Sequence, residues 1–215
     1  MGTKGWKRCV VGPQTEQMLK LGHPWIIRDR FTDQWPTGSC GDGIALHGAD
    51  GTLLAYALRD DDRRIVARVV GWPLFGKAPC LDEEWFYSRF EASLKLRSVH
   101  VELDLTDAYR LVNAEGDLLP GLTVDVYGEF IMLQLYSRMW ESFREPLVQA
   151  LQRLVRPQGI YEKFRPRKTR ELGKKGDKRY SSLLLGQQAP HNLRVKENGL
   201  LFEVDLNHGL HTGLF

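Results

Sequence analysis

Cysteine is scarce in this sequence, which has only three among 215 residues. Cys9, Cys40 and Cys80 lie far apart, and none belongs to the short paired spacings that zinc sites and redox motifs use. We therefore expect three free thiols, buried or half-buried, and no metal site.

Long apolar runs are also missing. No stretch approaches the roughly 20 apolar residues that a membrane span needs. The amino terminus, 1–8, carries two lysines and an arginine and is followed by no apolar core of signal-peptide length. We expect a cytoplasmic location and no membrane partner.

Positive charge is distributed unevenly along the chain, although the net charge is only +3. The basic segment, Lys163 to Arg179, holds nine Lys or Arg and two acids, so it carries about +7 against about −4 for the remainder. Such a run is either a solvated loop or an arm that binds RNA phosphates, flanked here by aromatic residues that could stack on bases. The RNA-binding candidates in it are Lys163, Arg165, Arg167, Lys168 and Arg170.

The first third of the chain has the pattern of a small β-rich domain. Apolar runs at 9–11, 44–46, 53–58 and 65–70 are separated by Gly- and Asp-rich turns. This pattern predicts a compact barrel or sandwich, with a domain boundary in the Pro- and Gly-rich stretch 73–79.

The remainder alternates helical and strand patterns. Asp82 is placed to cap a helix whose apolar stripe includes Phe86 and Phe90. A second helix is predicted that either starts near Glu145 or is kinked there by Pro146. Between them, strands are predicted at 110–113, 122–126 and 130–135, the last two as an antiparallel hairpin. Further strands are predicted at 160–164 and 200–206, which gives an α+β domain with the helix on one face of the sheet.

Three motifs resemble the ribosomal RNA large-subunit methyltransferase I family. The central motif is Glu-Gly-Asp-Leu-Leu-Pro-Gly-Leu-Thr-Val-Asp-Val-Tyr-Gly at 115–128. Gly-His-Pro-Trp-Ile-Ile at 22–27 resembles the family's amino-terminal PUA module, and Asn-His-Gly-Leu-His-Thr-Gly-Leu-Phe at 207–215 resembles the hairpin that enters its catalytic domain. The resemblance covers nearly the whole chain but about half of a typical member.

The resemblance implies an S-adenosylmethionine (SAM)-dependent RNA cytosine-C5 methyltransferase. It implies a PUA-like β-barrel at 1–75, an α+β domain at 80–206 and the start of a hairpin at 207–215, with the catalytic Rossmann-like domain absent. The sequence itself shows no parallel α/β unit with a Gly-rich loop for SAM, because the glycines at 38–43 lead into a strand. We therefore expect a fragment that recognises RNA and takes no cofactor by itself.

The family's chemistry begins with a cysteine thiolate, and no cysteine here has a matching context, so no catalytic residue is assigned. In an intact enzyme the resemblance places Thr212, Gly213 and Phe215 against SAM. His208 and His211 could share a metal ion, but no carboxylate or thiol pattern completes a ligand set.

The turn at His23 is the second RNA-binding candidate. Trp25 is expected in the core, with Pro24 shaping the turn, and the resemblance implies RNA contacts from Lys20, His23, Arg28 and Arg30. The expected partner is RNA, in particular ribosomal RNA, and a homodimer is left open. The alternatives are a stand-alone RNA-binding protein without methyltransferase activity and a complete enzyme of another type.

Overall fold

The computed structural model describes residues 5–163 and 181–208. The chain divides into two compact units that interleave along the sequence. The first unit comprises Met1–Phe86, Ala114–Gly121 and Ser137–Leu147. The second comprises Tyr87–Asn113, Leu122–Tyr136 and Val148–Phe215. The expected domain limits, at 75, 80 and 206, stay a prediction.

The first unit is built on a five-stranded sheet in the order β1-β3-β4-β5-β2. Its strands are β1 (Lys7–Val10), β2 (Trp25–Ile27), β3 (Gly43–His47), β4 (Leu53–Arg59) and β5 (Ile65–Gly71). β1 and β3 are parallel, and the other neighbours are antiparallel. The apolar runs expected to form strands at 44–46, 53–58 and 65–70 are confirmed.

Helix α1 (Pro13–Lys20) covers this sheet. Pro13 suits the first helical position because that N–H has no partner inside a helix. Leu19 points inward and joins Ile26, Ile44 and Leu46 in the core of the unit, all at most 3% exposed. Trp35 and Trp72 pack against this core from its margin.

The second unit contains a five-stranded sheet in the order β10-β9-β8-β7-β6. Its strands are β6 (Ala108–Asn113), β7 (Leu122–Tyr127), β8 (Phe130–Leu135), β9 (Gly159–Lys163) and β10 (Ser181–Gly186). A separate hairpin is formed by β11 (Leu193–Glu197) and β12 (Leu200–Val204). The predicted β7–β8 hairpin is confirmed, with Gly128 at a φ of 58° in its turn.

Two longer helices complete the chain, α2 (Glu83–His100) and α3 (Arg144–Val155). Asp82 caps α2, since its Oδ1 accepts a hydrogen bond from the Trp85 N–H at 2.9 Å. α3 begins two residues before Pro146, which therefore lies in its first turn, where proline is tolerated. No helix among the described residues has the length and apolarity to cross a membrane.

β8 and β9 are parallel, with Phe130 opposite Gly159, and α3 lies between them in the chain. This connection is a parallel βαβ unit of the kind from which Rossmann-like sheets are built, so the second sheet is mixed. The expected fold class, a PUA-like barrel and an α+β domain without any Rossmann-like unit, is therefore wrong. Apolar periodicity locates strands, but it does not tell which strands pair or in which direction.

Candidate functional site

The first candidate site, the turn face, is the segment 20–30 of the first unit with its candidate side chains Lys20, His23, Trp25, Arg28 and Arg30. The structure shows a direct contact between two of them, His23 and Trp25. Gly22 ends α1 with a φ of 82°, and its N–H bonds back to the Leu19 carbonyl at 2.9 Å. The chain then enters β2, an edge strand of the sheet. The turn at His23 therefore leads from the helix end that carries Lys20 to the sheet edge that carries Trp25, and Arg28 and Arg30 follow that strand.

Trp25 lies on the outer side of β2, and the expectation that it belongs to the core was wrong. Ile26 is fully buried, whereas Trp25 and Ile27 are 37% and 44% exposed, as the alternation of a strand requires. The core position that the motif suggested for Trp25 is occupied by its neighbour, Ile26.

The indole of Trp25 is held in a fixed orientation. Its Nε1 donates to Glu115 Oε1 at 2.8 Å, and the Arg68 guanidinium lies 5.7 Å from the ring centroid. The imidazole of His23 meets the indole edge-on at 5.9 Å, and its Nδ1 lies 3.2 Å from the Trp25 backbone nitrogen. The result is an oriented aromatic pair at the surface, which is a suitable platform for stacking a nucleobase.

The cations of the turn face make weak or partial local contacts. Lys20 pairs with Glu16 at 2.7 Å, which raises the pKa of Lys20 through the hydrogen bond, and Arg28 lies 3.8 Å from Asp33. The Arg30 guanidinium lies 5.0 Å from the Phe31 ring centroid. Exposed pairs of this kind contribute little to stability, so these cations can exchange their partners for phosphates.

An apolar cleft of about 430 Å³ opens beside Lys20 and Gly22. Its other lining residues are Leu19, Leu54, Trp72, Pro73, Leu74 and Leu118. A volume of this size lies within the range of small-molecule sites, and an apolar wall next to a lysine suits a base attached to a phosphate. Nothing in the sequence pattern indicated this cleft, because its walls come from four separate stretches of the chain.

The second candidate site is a polar pocket of about 410 Å³ in the second unit. Its lining residues are Tyr161, Ser181, Ser182, Leu183, Gln188, Asn207 and His208. The Tyr161 hydroxyl donates to Asn207 Oδ1 at 2.9 Å and accepts from the Ala189 N–H at 2.7 Å, while Asn207 Nδ2 donates to the Ala189 carbonyl at 3.0 Å. Burial raises the pKa of Tyr161, so its hydroxyl stays protonated as the donor of this network.

Several predicted site residues lie outside the described residues. These are Arg165, Arg167, Lys168 and Arg170 of the basic segment and the cofactor candidates Thr212, Gly213 and Phe215. Lys163 is described, and it ends β9 opposite Gln134 and Ser181.

All three cysteine thiols are protonated at neutral pH. Burial, followed by the Asp61 charge, raises the pKa of Cys40 to about 11, and burial also raises the pKa of Cys9. A hydrogen bond to Asp82 raises the pKa of Cys80. Because the thiolate is the nucleophile, none of the three environments activates a cysteine.

The chain is similar to proteins named ribosomal RNA large subunit methyltransferase I. It is 30% identical over 200 residues to the one from Aliivibrio fischeri strain ES114, across 93% of this chain and 49% of that protein. It is 31% identical over 208 residues to the one from Escherichia coli O139:H28, across 97% of this chain and 51% of that protein. The chain thus spans about half the length of these relatives. No family model matches it.

Two solved structures are also similar. One, from Streptococcus mutans, is described as a SAM-dependent methyltransferase and matches with a TM-score of 0.79 and 28% identity, over 97% of this chain and 51% of that one. The other, a methyltransferase in complex with SAH, matches with a TM-score of 0.79 and 28% identity, over 97% of this chain and 50% of that one.

These matches overturn two expectations. Methyltransferase structures superpose on almost the whole chain, which together with the parallel β8–α3–β9 unit removes the ground for calling a Rossmann-like unit absent. The expectations that the chain takes no cofactor and that it is a stand-alone RNA-binding protein have no support either, since one similar structure is described as SAM-dependent and the other was solved with SAH.

Proposed function

We propose that this chain belongs to the ribosomal RNA large subunit methyltransferase I family and serves the SAM-dependent methylation of ribosomal RNA. Similarity at 31% identity over 97% of the chain carries the proposal. The resemblance of the motifs at 22–27, 115–128 and 207–215 to family motifs supports it and implies C5 of a cytosine as the methylated atom.

Within this reaction, the first unit recognises RNA through the turn face. The oriented Trp25–His23 pair offers a face for stacking, and the cleft beside Lys20 offers an apolar wall with a cation at its rim. Arg28 and Arg30 add charge along the same stretch of chain. Stacking and close fit discriminate among RNAs, whereas charge attracts any of them.

The basic segment supplies most of the affinity that is independent of sequence. Nine cations within 17 residues displace counterions condensed on the RNA, and each phosphate contact adds about 0.7 to the salt slope for single strands. The proposed contacts are Lys163, the last residue of β9, and Arg165, Arg167, Lys168 and Arg170.

SAM is the cofactor of the proposed reaction, and we assign it no contact among the described pocket residues. The Tyr161 hydroxyl and the Asn207 amide bond to each other and to the Ala189 backbone, which fixes both side chains. The proposed cofactor contacts remain Thr212, Gly213 and Phe215, and no step of catalysis is assigned to the described residues.

A binding experiment with ribosomal RNA fragments tests this proposal. Replacing Arg165, Arg167, Lys168 and Arg170 together by Ser should weaken binding to all RNAs similarly and reduce the salt slope by up to about three units. His23→Ala or Arg28→Ala should reduce the preference for ribosomal over scrambled RNA, while the slope changes by about one unit or less. Fluorescence titration at several salt concentrations measures both quantities.

Lys95→Ser serves as the matched control, because it removes an exposed lysine that pairs with Glu91 on α2. The Lys95→Ser variant should leave the preference for ribosomal over scrambled RNA unchanged. Equal binding of ribosomal and scrambled RNA by the parent chain would contradict recognition by the turn face. If the four-Ser variant binds RNA as well as the parent at every salt concentration, the basic segment does not contact RNA and is only a solvated loop.

A further inference from the structure

Three potential metal ligands converge at the open end of the β11–β12 hairpin in the second unit. Leu193 pairs with Val204 at that end, so the residues just outside the two strands are close in space. His191 lies two residues before β11, Asp205 directly follows β12, and His208 comes three residues later. Asp205 Oδ2 is 3.2 Å from His208 Nδ1 and 3.5 Å from His191 Nδ1.

The carboxylate of Asp205 is held in place by its other oxygen. Oδ1 accepts the backbone N–H groups of Asn207 at 2.8 Å and His208 at 3.1 Å, which leaves Oδ2 directed at both imidazoles. The two rings stack with centroids 5.2 Å apart and an interplanar angle of 19°. Backbone hydrogen bonds that fix a ligating carboxylate are a usual feature of metal sites.

We propose that His191, Asp205 and His208 bind one divalent transition-metal ion of the Zn²⁺ type. Bonds of about 2.0–2.2 Å from zinc to nitrogen and oxygen put neighbouring donors of a tetrahedral shell about 3.3 Å apart. The two separations from Asp205 Oδ2 agree with this value, and all three donors lie within 4.8 Å of one another. Two imidazoles and one carboxylate favour zinc over calcium or magnesium, which prefer oxygen ligands alone.

The bound ion ties the loop before β11 to the turn after β12. The side chains of His191 and His208 are 68% and 54% exposed, so water can fill the remaining coordination position. The ion therefore stabilises the open end of the β11–β12 hairpin and not a buried core. This role does not depend on the proposed function.

A second cluster, Cys40 with Asp60 and Asp61 in the first unit, does not qualify in the same way. Asp60 Oδ2 is already bonded to Arg68 at 2.5 Å and to Ser137 at 2.9 Å. A metal ion there would have to displace the buried Arg68 cation.

The test is a calorimetric titration of the full chain with ZnCl₂, after chelator treatment and without added affinity histidines. The parent should bind one ion with a Kd below about 10 µM, which corresponds to about −7 kcal/mol. His191→Ala and His208→Ala should each weaken this binding at least about tenfold. Co²⁺ should give the intense visible absorption of a tetrahedral site in the parent and lose it in both variants.

His100→Ala is the matched control, since it removes an exposed histidine from the end of α2. It should bind Zn²⁺ as the parent does, and circular dichroism should show that all variants are folded. If the parent binds Zn²⁺ no more tightly than the doubly substituted His191→Ala, His208→Ala chain, the cluster is an ordinary ion pair and the proposal fails. Retention of full affinity by His191→Ala alone would also overturn the assigned ligand set.

Discussion

Arg68 shows how a single residue can stabilise the first unit and orient its surface. Its guanidinium bonds to Asp60 at 2.5 Å and to Glu115 at 3.3 Å, and Glu115 in turn holds the Trp25 indole. The side chains of Arg68 and Asp60 are only 10% and 2% exposed. A cation buried beside two carboxylates therefore links the core of the sheet to the turn face.

Replacing Arg68 by Ala should destabilise the first unit by about 3 kcal/mol, because the Asp60 carboxylate would stay buried without its cation. Urea unfolding followed by fluorescence measures the loss. Arg138→Ala is the control, since Arg138 pairs with Asp61 at 3.0 Å but is 55% exposed. It should cost less than about 1 kcal/mol. If the two variants lose equal free energy of unfolding, burial of the Arg68–Asp60 pair does not determine its contribution to stability.

At the scale of an element, α2 depends on its first turn. The Trp85 N–H, followed by the Cys80 thiol, donates to Asp82 and lowers the pKa of that carboxyl. A carboxyl with a lowered pKa in the folded state stabilises the protein above its unfolded pKa, and the contribution is lost as pH falls through the folded value. The cap is therefore a source of acid sensitivity.

Asp82→Ala should cost about 1 kcal/mol at neutral pH. The difference from the parent should shrink below about pH 4, where the carboxyl becomes protonated. Asp82→Asn keeps the acceptor but cannot titrate, so it should retain most of the stability and show a smaller loss in acid. Thermal unfolding between neutral pH and pH 3 compares the three proteins. A pH-independent gap between Asp82→Ala and the parent would rule out the charge of the cap as the cause.

Elements were predictable where their signals are local. The cap at Asp82, the β7–β8 hairpin and the start of α3 follow from residues a few positions apart. The parallel pairing of β8 with β9 did not follow, because it depends on a crossover of more than 20 residues. The histidine cluster was missed for a similar reason. His191 lies well before Asp205 in the sequence, and the two come together only because β11 pairs with β12.

The whole molecule is interleaved, because the chain passes between the two compact units five times. The first unit includes 114–121 and 137–147, whose ends adjoin strands of the second sheet. Unfolding of that sheet releases both segments, and with them Glu115 and Ser137, the partners of Arg68 and Asp60. The units should therefore lose their structure together.

Calorimetric melting should show one cooperative transition. Ile44→Ala in the first core and Leu206→Ala in the second each truncate a fully buried side chain. Each should lower the free energy of unfolding of the whole chain by about 2–5 kcal/mol. Two resolved transitions, each shifted by only one of the variants, would show that the units unfold separately.

The two edge strands of the first sheet determine whether other copies of the chain can add a strand to it and aggregate. One edge, β2, is only three residues long and follows Pro24, which has no N–H to donate, and the other edge, β1, begins with exposed Lys7 and Arg8. Short strands, proline and lysine at an edge discourage the addition of a foreign strand. Apolar Trp25 and Ile27 can therefore stay at the surface without making this sheet a template for aggregation.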